Sequence, residues 1–459
     1  MALNALAAPP GLAGWLVGAL GATQVQVLAW RQLSGGAIQE NWAFQARLRG
    51  GPYAGTLEAV LRTDAPTGVA ASHGRLAEHA ILDAAHKAGV KVPEPLAVCA
   101  DPGVIGKPFY VMRRLEGTAL GHILVNDAKW TGDRAELVAS LGSELAKLHK
   151  IRPPQAALGF LGEPPASPAL AAVAAYRTWL DGYRTARPAL ELALRWLEVN
   201  APATDAVVLC HRDFRTGNFM ADEAGLAGIL DWEFAGWGDR HEDIGWFCAK
   251  CWRFGQISRE AGGVGARDDF LRGYAGAGGD ALDSAKLRYW EIMAHARWAV
   301  IALQQNERFV AGGEASLDLA LTGRRIAELE YELLAAIDAA APAGDLPPGL
   351  PRDRADVAEL AALARDVLTR ELLSQMAESA RLKGLMLANA LGVVARTLAS
   401  EPRNDGDGNR ALATAIRNGA HDGDHGLHGA LCSDAKARTL LFNPQYSFCS
   451  TSRRCAAIR

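Results

Sequence analysis

The segment His211–Asn218, with the sequence HRDFRTGN, constrains this chain more than any other stretch. In it an acid, Asp213, stands two residues after a histidine and five before an asparagine. The strand-like run Leu226–Leu230 follows and leads directly into Asp231. Thirteen positions separate Asn218 from Asp231, a spacing that suits a short hairpin returning the second acid beside the first loop. The spacing therefore predicts that these polar residues share one site.

The pattern H-R-D-x-x-x-x-N is that of the catalytic loop of kinases. Phosphoryl transfer depends on positioning and charge neutralisation more than on covalent help. A carboxylate must accept the proton of the attacking hydroxyl, which suits Asp213. Hard oxygen ligands must hold Mg²⁺ against the nucleotide phosphates, which suits Asn218 and Asp231. The alternative interpretation is a strand–turn–strand whose polar residues only fill the turns.

The segment His211–Asn218, followed by DWEFAGWGDRHEDIGWF, resembles the aminoglycoside phosphotransferase and choline kinase superfamily. DWE in place of the DFG of protein kinases indicates the small-molecule branch. The resemblance runs from Thr23 to Ala340 and implies an α+β, two-lobed protein-kinase-like fold, with a β-rich N-lobe and a mainly helical C-lobe. The stretches VLRTDAPTG, GKPFYVMRRLEG and CWRFG further resemble bacterial phosphotransferases akin to the kinase-like domain joined to acyl-CoA dehydrogenases.

The resemblance implies a phosphate-binding loop and a cation in the N-lobe. Ser34, Gly35 and Gly36 lie where the superfamily has its phosphate loop, and glycines let backbone N–H groups approach phosphate oxygens. A plain hairpin is the alternative for this loop. Arg62 stands where the superfamily usually has a lysine that contacts the α- and β-phosphates, and Glu78 matches the glutamate that pairs with it. The alternative for that pair is a surface ion pair of little energetic value.

The resemblance also suggests roles for residues around the two lobes. The segment Tyr110–Leu115, which includes Met112, matches the stretch that joins the lobes and contacts adenine through backbone groups. Glu233 is a candidate to assist the metal or to bind substrate.

Three further residues match positions that support the site. His211 is expected to brace the catalytic loop and not to act as a base. Asp239 and Asp243 resemble family acids that hold the loop after the metal site. The alternative for these two acids is capping and ion pairing at the start of the next helix.

Hydrophobic periodicity predicts a strand-rich beginning and a helical remainder. Residues 24–62 predict three strands, and in one of them Trp42, Phe44, Ala46 and Leu48 alternate with the residues between them. Ser72 is expected to cap a helix that reaches Lys87, with Gly89 just past its end. Further strands are predicted at 95–99, 109–115 and within 207–231. Further helices are predicted at 133–150, 171–182, 189–200, 241–253, 284–305 and 316–340.

These elements predict an N-lobe over residues 1–115 and a C-lobe over 116–340. Residues 341–353 contain four prolines and two glycines, which is typical of a linker. Residues 354–446 form a predicted helical extension. The slightly longer range 351–446 resembles an extension of uncharacterised role in some bacterial phosphotransferases. Residues 447–459 are expected to be a loose tail.

Composition excludes several classes of protein. The 48 basic residues nearly balance the 51 acidic ones, so the chain has no broad electrostatic footprint for nucleic acid. Seven cysteines in 459 residues argue against a disulfide scaffold and favour a reducing cytoplasm.

The first 21 residues contain no lysine or arginine, so the positive region of an export signal is missing. Apolar segments elsewhere are shorter than the roughly 20 residues that span a bilayer. We therefore expect a cytoplasmic protein with no membrane partner.

The sequence thus predicts a kinase that uses ATP and Mg²⁺ to phosphorylate a hydroxyl group of a small molecule. The acceptor is left open between an aminoglycoside, a hydroxyacyl thioester and another alcohol, and the donor between ATP and GTP. The alternative is a catalytically weak kinase-like module that binds a nucleotide or a partner. In either case the helical extension is a candidate element for homodimer formation.

Overall fold

The computed structural model describes residues 8–33, 39–65, 72–126, 132–183, 186–310, 319, 322–323, 325–341, 361, 365–366, 368–400 and 407–446. The chain divides into two compact units. One contains Met1–Pro168 and Ala203–Glu291, and the other contains Ala169–Pro202 and Ile292–Arg459. Within the described ranges, no helix combines the length and the apolarity that a membrane crossing requires.

The first unit contains the five N-lobe strands that the sequence predicts. They are β1 (Gln24–Gln32), β2 (Gln39–Arg49), β3 (Gly55–Asp64), β4 (Pro95–Cys99) and β5 (Phe109–Arg113). Their antiparallel order across the sheet is β1-β2-β3-β5-β4. In β2 the side chains of Phe44, Ala46 and Leu48 are buried in one apolar cluster, which explains the predicted alternation.

A helix that the sequence analysis did not predict, α1 (Pro10–Ala19), covers this apolar cluster. Leu12 and Leu16 are its buried residues. Nearly every residue in it is small or apolar, so the helical period of 3.6 is not visible in the sequence. A proline at the first helical position is the local signal that favours the helix.

Helix α2 (Arg75–Lys87) follows β3 and is capped differently from the prediction. Its N-cap is Gly74, and no side chain caps it. The Ser72 hydroxyl instead donates to the Glu233 carboxylate at 2.6 Å. The N-cap prediction for Ser72 is therefore wrong, because a partner distant in sequence binds the hydroxyl. Gly89, with a φ of +78°, lies just past the end of the helix as predicted.

The rest of the chain is mainly helical. Its helices are α3 (Gly121–Asn126), α4 (Arg134–Leu148), α5 (Pro168–Gly182), α6 (Pro188–Val199), α7 (Arg240–Cys248), α8 (Arg267–Gly276), α9 (Ser284–Val310), α10 (Ile326–Ile337), α11 (Glu378–Leu398), α12 (Asp407–Arg417) and α13 (His425–Phe442). Short 3₁₀ helices occupy Ala156–Leu161 and Lys250–Trp252, and a π-helical turn occupies Leu368–Leu372.

The predicted strand insert in the C-lobe is present and longer than expected. Its strands are β6 (Val207–Cys210), β7 (Phe219–Asp222), β8 (Gly225–Ile229) and β9 (Gly236–Asp239). β7 pairs with β8 as a hairpin, and β6 pairs with β9. The helix predicted for 241–253 ends at Cys248, because Ala249 leaves the helical conformation with a ψ of 141°.

The second unit has its own buried polar contacts. The Glu191 carboxylate, on α6, accepts hydrogen bonds from Arg177 Nε at 3.0 Å and from Arg417 Nε at 2.9 Å. Arg417 lies on α12, so these contacts join two helices of residues 168–199 to one helix of the predicted extension. The predicted linker after residue 341 and the predicted tail at 447–459 lie outside the described residues.

Candidate active site

The segment His211–Asn218 connects β6 to β7, and buried groups hold its backbone. The Asp243 carboxylate, on α7, accepts from the first two backbone N–H groups of the segment, each at 2.7 Å. The His211 ring donates through Nε2 to the Leu230 carbonyl oxygen at 2.9 Å. Its Nδ1 accepts from the Asp213 N–H at 3.2 Å. His211 is thus a brace between the loop and the β8 end, as the resemblance implies, and these two contacts require one tautomer.

Asp239 and Asp243 have different roles in the structure. Asp239 caps α7 and accepts from the His241 N–H at 2.9 Å. Its role is therefore the helix capping that the sequence left open as the alternative to holding the loop. Asp243 Oδ2 also lies 3.2 Å from His149 Nε2. Burial raises the pKa of Asp243, but the hydrogen bond and charge of His149, with those of His211, outweigh it, so the pKa lies below its ordinary value. Asp243 is therefore a carboxylate that holds the catalytic segment.

Asp213 is nearly buried at the centre of the segment. Its Oδ1 accepts from Trp246 Nε1 at 3.0 Å and from Arg215 Nε at 3.1 Å. Its Oδ2 accepts from Asn218 Nδ2 at 2.5 Å and from the same Arg215 Nε at 3.2 Å. The Arg215 guanidinium lies over the Trp252 ring, 4.6 Å from the centroid. Sequence analysis missed Arg215 and Trp246: one is a variable position of the motif, and the other comes from α7.

The hairpin of β7 and β8 brings Asp231 back to the catalytic segment. The Leu230 N–H donates to the Asn218 carbonyl oxygen at 2.7 Å, so the next residue, Asp231, lies beside that segment. Asp231 has a φ of +69°, and Arg212 has a φ of +61°. Left-handed backbone at residues other than glycine costs about 1 kcal/mol or more, and such strain clusters at functional sites. Two of the three such positions in the described ranges therefore lie in or beside the catalytic segment, and the third is Phe254.

Arg62, on β3, pairs with its predicted partner Glu78 and also with Asp231, which the sequence predicts as a metal ligand. Its Nε lies 3.0 Å from Glu78 Oε1, and its Nη2 forms an ion pair with Asp231. The same Nη2 donates to Gln39 Oε1 at 2.8 Å. The Arg62 and Glu78 side chains are 8% and 0% exposed, so their pair is buried and the surface alternative is wrong.

Charges in this cluster shift the ionisation of its members. Burial lowers the pKa of Arg62, but the carboxylates of Glu78 and Asp231 raise it well above its ordinary value. Burial raises the pKa of Asp231, but the Arg62 guanidinium lowers it more, so the pKa lies below its ordinary value. Both groups are thus charged near neutral pH.

Glu233 is the third acid of the cluster and is 3% exposed. Its carboxylate accepts from the Ser72 hydroxyl and from the Gln39 amide. Burial, and then the nearby Asp231 charge, raise the pKa of Glu233 to about 7. Sequence analysis did not identify Gln39 or Ser72 as site residues, because neither belongs to a motif and both reach Glu233 only through tertiary contacts.

Other predicted site residues are placed as follows. Ser34, Gly35 and Gly36 lie outside the described residues, so their phosphate-binding role stays a prediction. Met112 lies on β5 opposite Val60 of β3, half-buried against the apolar core of the first unit. Its proximity to adenine likewise stays a prediction.

Asn218 and Asp231 offer oxygen atoms of the kind that a divalent cation binds. The Asn218 amide nitrogen donates to Asp213, which leaves the amide oxygen as the available atom. Among the described residues, no donor contacts Asn218 Oδ1 or Asp231 Oδ2. A neutral amide oxygen and a charged carboxylate oxygen are the hard ligands that Mg²⁺ takes in proteins. The residues therefore fit a Mg²⁺ ion.

The fold is that of kinase-like phosphotransferases. A sequence model of the phosphotransferase enzyme family (APH) matches residues 29–288, more than half of the chain, and the protein belongs to that family. A Ralstonia eutropha protein classed among the aminoglycoside phosphotransferases has a similar structure, with a TM-score of 0.55 and 21% identity. The match covers 70% of this chain and 97% of that one. At this identity the likeness concerns the fold.

Curated relatives share the sequence of the kinase-like region. The mouse acyl-CoA dehydrogenase family member 10 is 29% identical over 191 residues, which are 39% of this chain and 17% of the relative. Family member 11 of Pongo abelii is 25% identical over 259 residues, which are 52% of this chain and 32% of the relative. The chain thus spans under a third of the length of these two relatives. They confirm the predicted similarity to the domain that is joined to acyl-CoA dehydrogenases.

Proposed function

We propose that the protein transfers the γ-phosphoryl group of a nucleoside triphosphate, with ATP as the expected donor, to a hydroxyl group of a small molecule. The observation that carries this proposal is a chain of direct contacts. Arg62 pairs with Asp231, the residue before Asp231 bonds to the backbone of Asn218, and Asn218 bonds to Asp213. Strand β3 and the stretch 213–231, which are far apart in sequence, therefore contribute to one polar site with the groups that phosphoryl transfer needs.

Each residue has a distinct role in the proposal. Asp213 orients the acceptor hydroxyl and takes its proton. Asn218 and Asp231 hold Mg²⁺, which neutralises the charge of the phosphates when bound. Arg62, positioned by Glu78, binds phosphate oxygens. An arginine can hold phosphate with two parallel hydrogen bonds, although its fork differs from the point charge of a lysine.

The surroundings of Asp213 bear on the acceptor. The side chains that contact its carboxylate are Arg215, Asn218 and Trp246, none of which is acidic. A polycationic aminoglycoside needs acidic partners, so these contacts favour a less cationic hydroxylated compound. A hydroxyacyl thioester is the class to test first, by analogy with relatives named as acyl-CoA dehydrogenases.

One observation favours a second candidate, a nucleotide-binding module of weak catalytic power. Arg62 pairs with the Asp231 carboxylate that the first proposal assigns to Mg²⁺. If that ion pair persists when nucleotide binds, the metal is held poorly and turnover is slow. Nucleotide binding without turnover over a broad panel of hydroxylated acceptors supports this second candidate.

Thermal unfolding with ATP or GTP, each with and without Mg²⁺, tests the donor site without knowledge of the acceptor. A ligand at 100 times its dissociation constant adds about 2.7 kcal/mol of stability. We expect an increase in melting temperature that depends on Mg²⁺. No shift with either nucleotide at millimolar concentration contradicts the proposed function. A positive result is followed by a screen of acceptors, beginning with hydroxyacyl thioesters.

A further inference from the structure

A cavity in the second unit is lined by charged residues to which the proposed function gives no role. Its volume is about 80 Å³, and it lies where α5, the loop to α6, α6 itself and α12 meet. About 15 Å³ is enough for one water molecule, so the cavity has room for a small polyatomic group. Its charged lining residues are Asp181, Arg187, Glu191, Arg410 and Arg417. Arginines outnumber acids among them, which favours an anion as the ligand.

The two acids of the cavity already accept hydrogen bonds from an arginine. Arg417 Nε and Nη2 donate to the two Glu191 oxygens at 2.9 and 3.0 Å. Arg417 Nη1 donates to Asp181 Oδ1 at 2.6 Å. Arg187 and Arg410 are therefore the lining arginines that these acids leave without a hydrogen bond.

Arg187 has a buried donor without an acceptor. Its Nε is buried, and among the described residues no group accepts a hydrogen bond from it. The nearby Glu330 carboxylate lies 3.9 Å from Arg187 Nη1, which is too long for a hydrogen bond, and it pairs with Arg438. A buried donor that lacks an acceptor is costly, so native structures leave few of them. An acceptor bound in the cavity accounts for this one.

Two further donors line the same cavity. Within the described ranges, the Arg410 side chain makes no hydrogen bond or ion pair. Tyr183 is 5% exposed, and its hydroxyl oxygen accepts from Asn306 Nδ2 at 3.3 Å. No described residue accepts the proton of that hydroxyl. Donors on three side chains suit a phosphate group, which has more acceptor oxygens than a carboxylate.

We propose that this cavity binds a phosphate group, held by Arg187, Arg410 and the Tyr183 hydroxyl. Guanidinium groups bind phosphate oxygens with charge-assisted hydrogen bonds. The group comes from inorganic phosphate or from a phosphate monoester whose organic part stays outside the cavity. Because Arg410 lies on α12 and the other two residues precede α6, the anion joins the helical extension to the α5–α6 pair. The site shares no residue with the candidate active site, so this inference goes beyond the proposed function.

Calorimetric titration of the full chain with inorganic phosphate tests the proposal. Glycerol 1-phosphate is the monoester probe, acetate is the carboxylate probe, and sodium chloride at equal ionic strength measures general screening. Each titration is repeated with a saturating non-hydrolysable ATP analogue, which occupies the phosphate positions of the proposed donor site. Phosphate that still binds under this condition lies outside that site.

The variants are Arg410→Gln and Arg187→Gln. Arg410 is exposed, so its variant is expected to fold like wild type, and the melting temperature of every variant checks this. The matched control is Arg370→Gln, also in the second unit, which removes an arginine whose side chain is 78% exposed.

We expect wild type to bind one phosphate per chain, with or without the ATP analogue. Arg410→Gln and Arg187→Gln should each weaken this binding about tenfold or more, whereas Arg370→Gln should keep the wild-type affinity. Acetate and sodium chloride should give no saturable heat. Tighter binding of glycerol 1-phosphate than of inorganic phosphate identifies a monoester as the source of the group, and equal binding identifies inorganic phosphate.

Three results overturn the inference. If wild type shows no saturable binding at millimolar phosphate, the cavity is not a phosphate site. If both arginine variants keep the wild-type affinity, or the ATP analogue abolishes binding, the phosphate binds elsewhere. If acetate binds as tightly as phosphate, the ligand is a carboxylate instead. Each of these results leaves the proposed function intact, because that function is tested by Mg²⁺-dependent nucleotide binding.

Discussion

In the first unit, one buried guanidinium, that of Arg62, lies among the carboxylates of Glu78, Asp231 and Glu233. In the second unit, one buried carboxylate, that of Glu191, lies between the guanidinium groups of Arg177 and Arg417. Arg62, Glu78, Asp231 and Glu233 form the site cluster, and Arg177, Glu191 and Arg417 form the helix tie. Both contain further pairs: Arg75 also pairs with Glu78, and Asp181 and Glu198 pair with Arg417 and Arg177.

The two clusters differ in whether the carboxylate oxygens at their centres all have donors. In the helix tie, both Glu191 oxygens accept from arginines, at 2.9 to 3.0 Å. In the site cluster, among the described residues, no donor contacts Asp231 Oδ2. Burial, and then the nearby Asp231 charge, raise the pKa of Glu233. The Asp231 oxygen without a donor is available to a divalent cation. We infer that saturated pairs join helices, whereas unsaturated ones mark a site that a ligand completes.

The largest expected effect is a loss of turnover, without a loss of stability, when Asp213 in the first unit is replaced. Asp213→Asn keeps the size of the side chain but removes the proton acceptor, so we expect turnover to fall about 10²- to 10⁴-fold. Mg²⁺-dependent nucleotide binding and the melting temperature should change little. Steady-state kinetics and calorimetry with ATP measure both. Wild-type turnover in this variant contradicts the role of Asp213 as base.

The next effect tests whether the helix tie is structural. Glu191→Gln removes the buried charge that Arg177 and Arg417 share, although Glu198 and Asp181 still pair with them, and hydrogen bonds to a charged group contribute about 1.5–3 kcal/mol. We expect a loss of that order in denaturant unfolding. Glu198→Gln is the control, since Glu198 is 36% exposed and pairs with Arg177 at the surface. Its expected loss is below about 1 kcal/mol. Equal losses in the two variants would remove the distinction between the clusters.

Removal of a site-cluster acid should act on ligand binding more than on folding. Asp231→Ala deletes a proposed Mg²⁺ ligand, while Arg62 keeps its pair with Glu78. We expect the Mg²⁺-dependent part of nucleotide stabilisation, about 2.7 kcal/mol at 100 times the dissociation constant, to disappear. Asp222→Asn, an exposed acid at the end of β7, serves as the control. Unchanged Mg²⁺ dependence in Asp231→Ala contradicts the proposed metal site.

The smallest effect concerns pH and Glu233. Its pKa of about 7 lies above the ordinary value of 4.5, so the folded protein holds this proton more tightly than the unfolded chain does. The resulting stability is fully present below pH 4.5 and is lost as the pH rises through 7, by at most about 1.4 kcal/mol per pH unit. Glu233→Gln should remove this slope in ligand-free protein, whereas Glu223→Gln, at an exposed position, should keep it. If stability changes with pH in the same way in both variants, the slope does not arise from Glu233.

Much of the fold follows from local patterns in the sequence. Alternation in β2 predicts the strand and its buried side, and Gly89 predicts the end of α2. Helix α1 was missed because uniform apolarity hides its period, and α7 ends early because Ala249 adopts an extended conformation. Such errors arise where local propensity is neutral and packing decides the outcome.

The candidate site was predictable in part. Asp213, Asn218 and Asp231 follow from one motif and one hairpin, because the spacing between them is a local property. Gln39 and Ser72 were not predictable as site residues, because each meets Glu233 across more than 150 positions of sequence. Hydrogen bonds of that range leave no periodic signal.

The sequence by itself determined the class of protein, the strands of the N-lobe and the acids of the catalytic segment. Chemistry requires these residue types at short, regular separations, and short separations are visible in a sequence. Only the tertiary structure decided how Arg62 is buried between Glu78 and Asp231, and that Trp246 of α7 donates to Asp213. Those features depend on which side chains exclude water together, and burial sets the strength of a charge interaction.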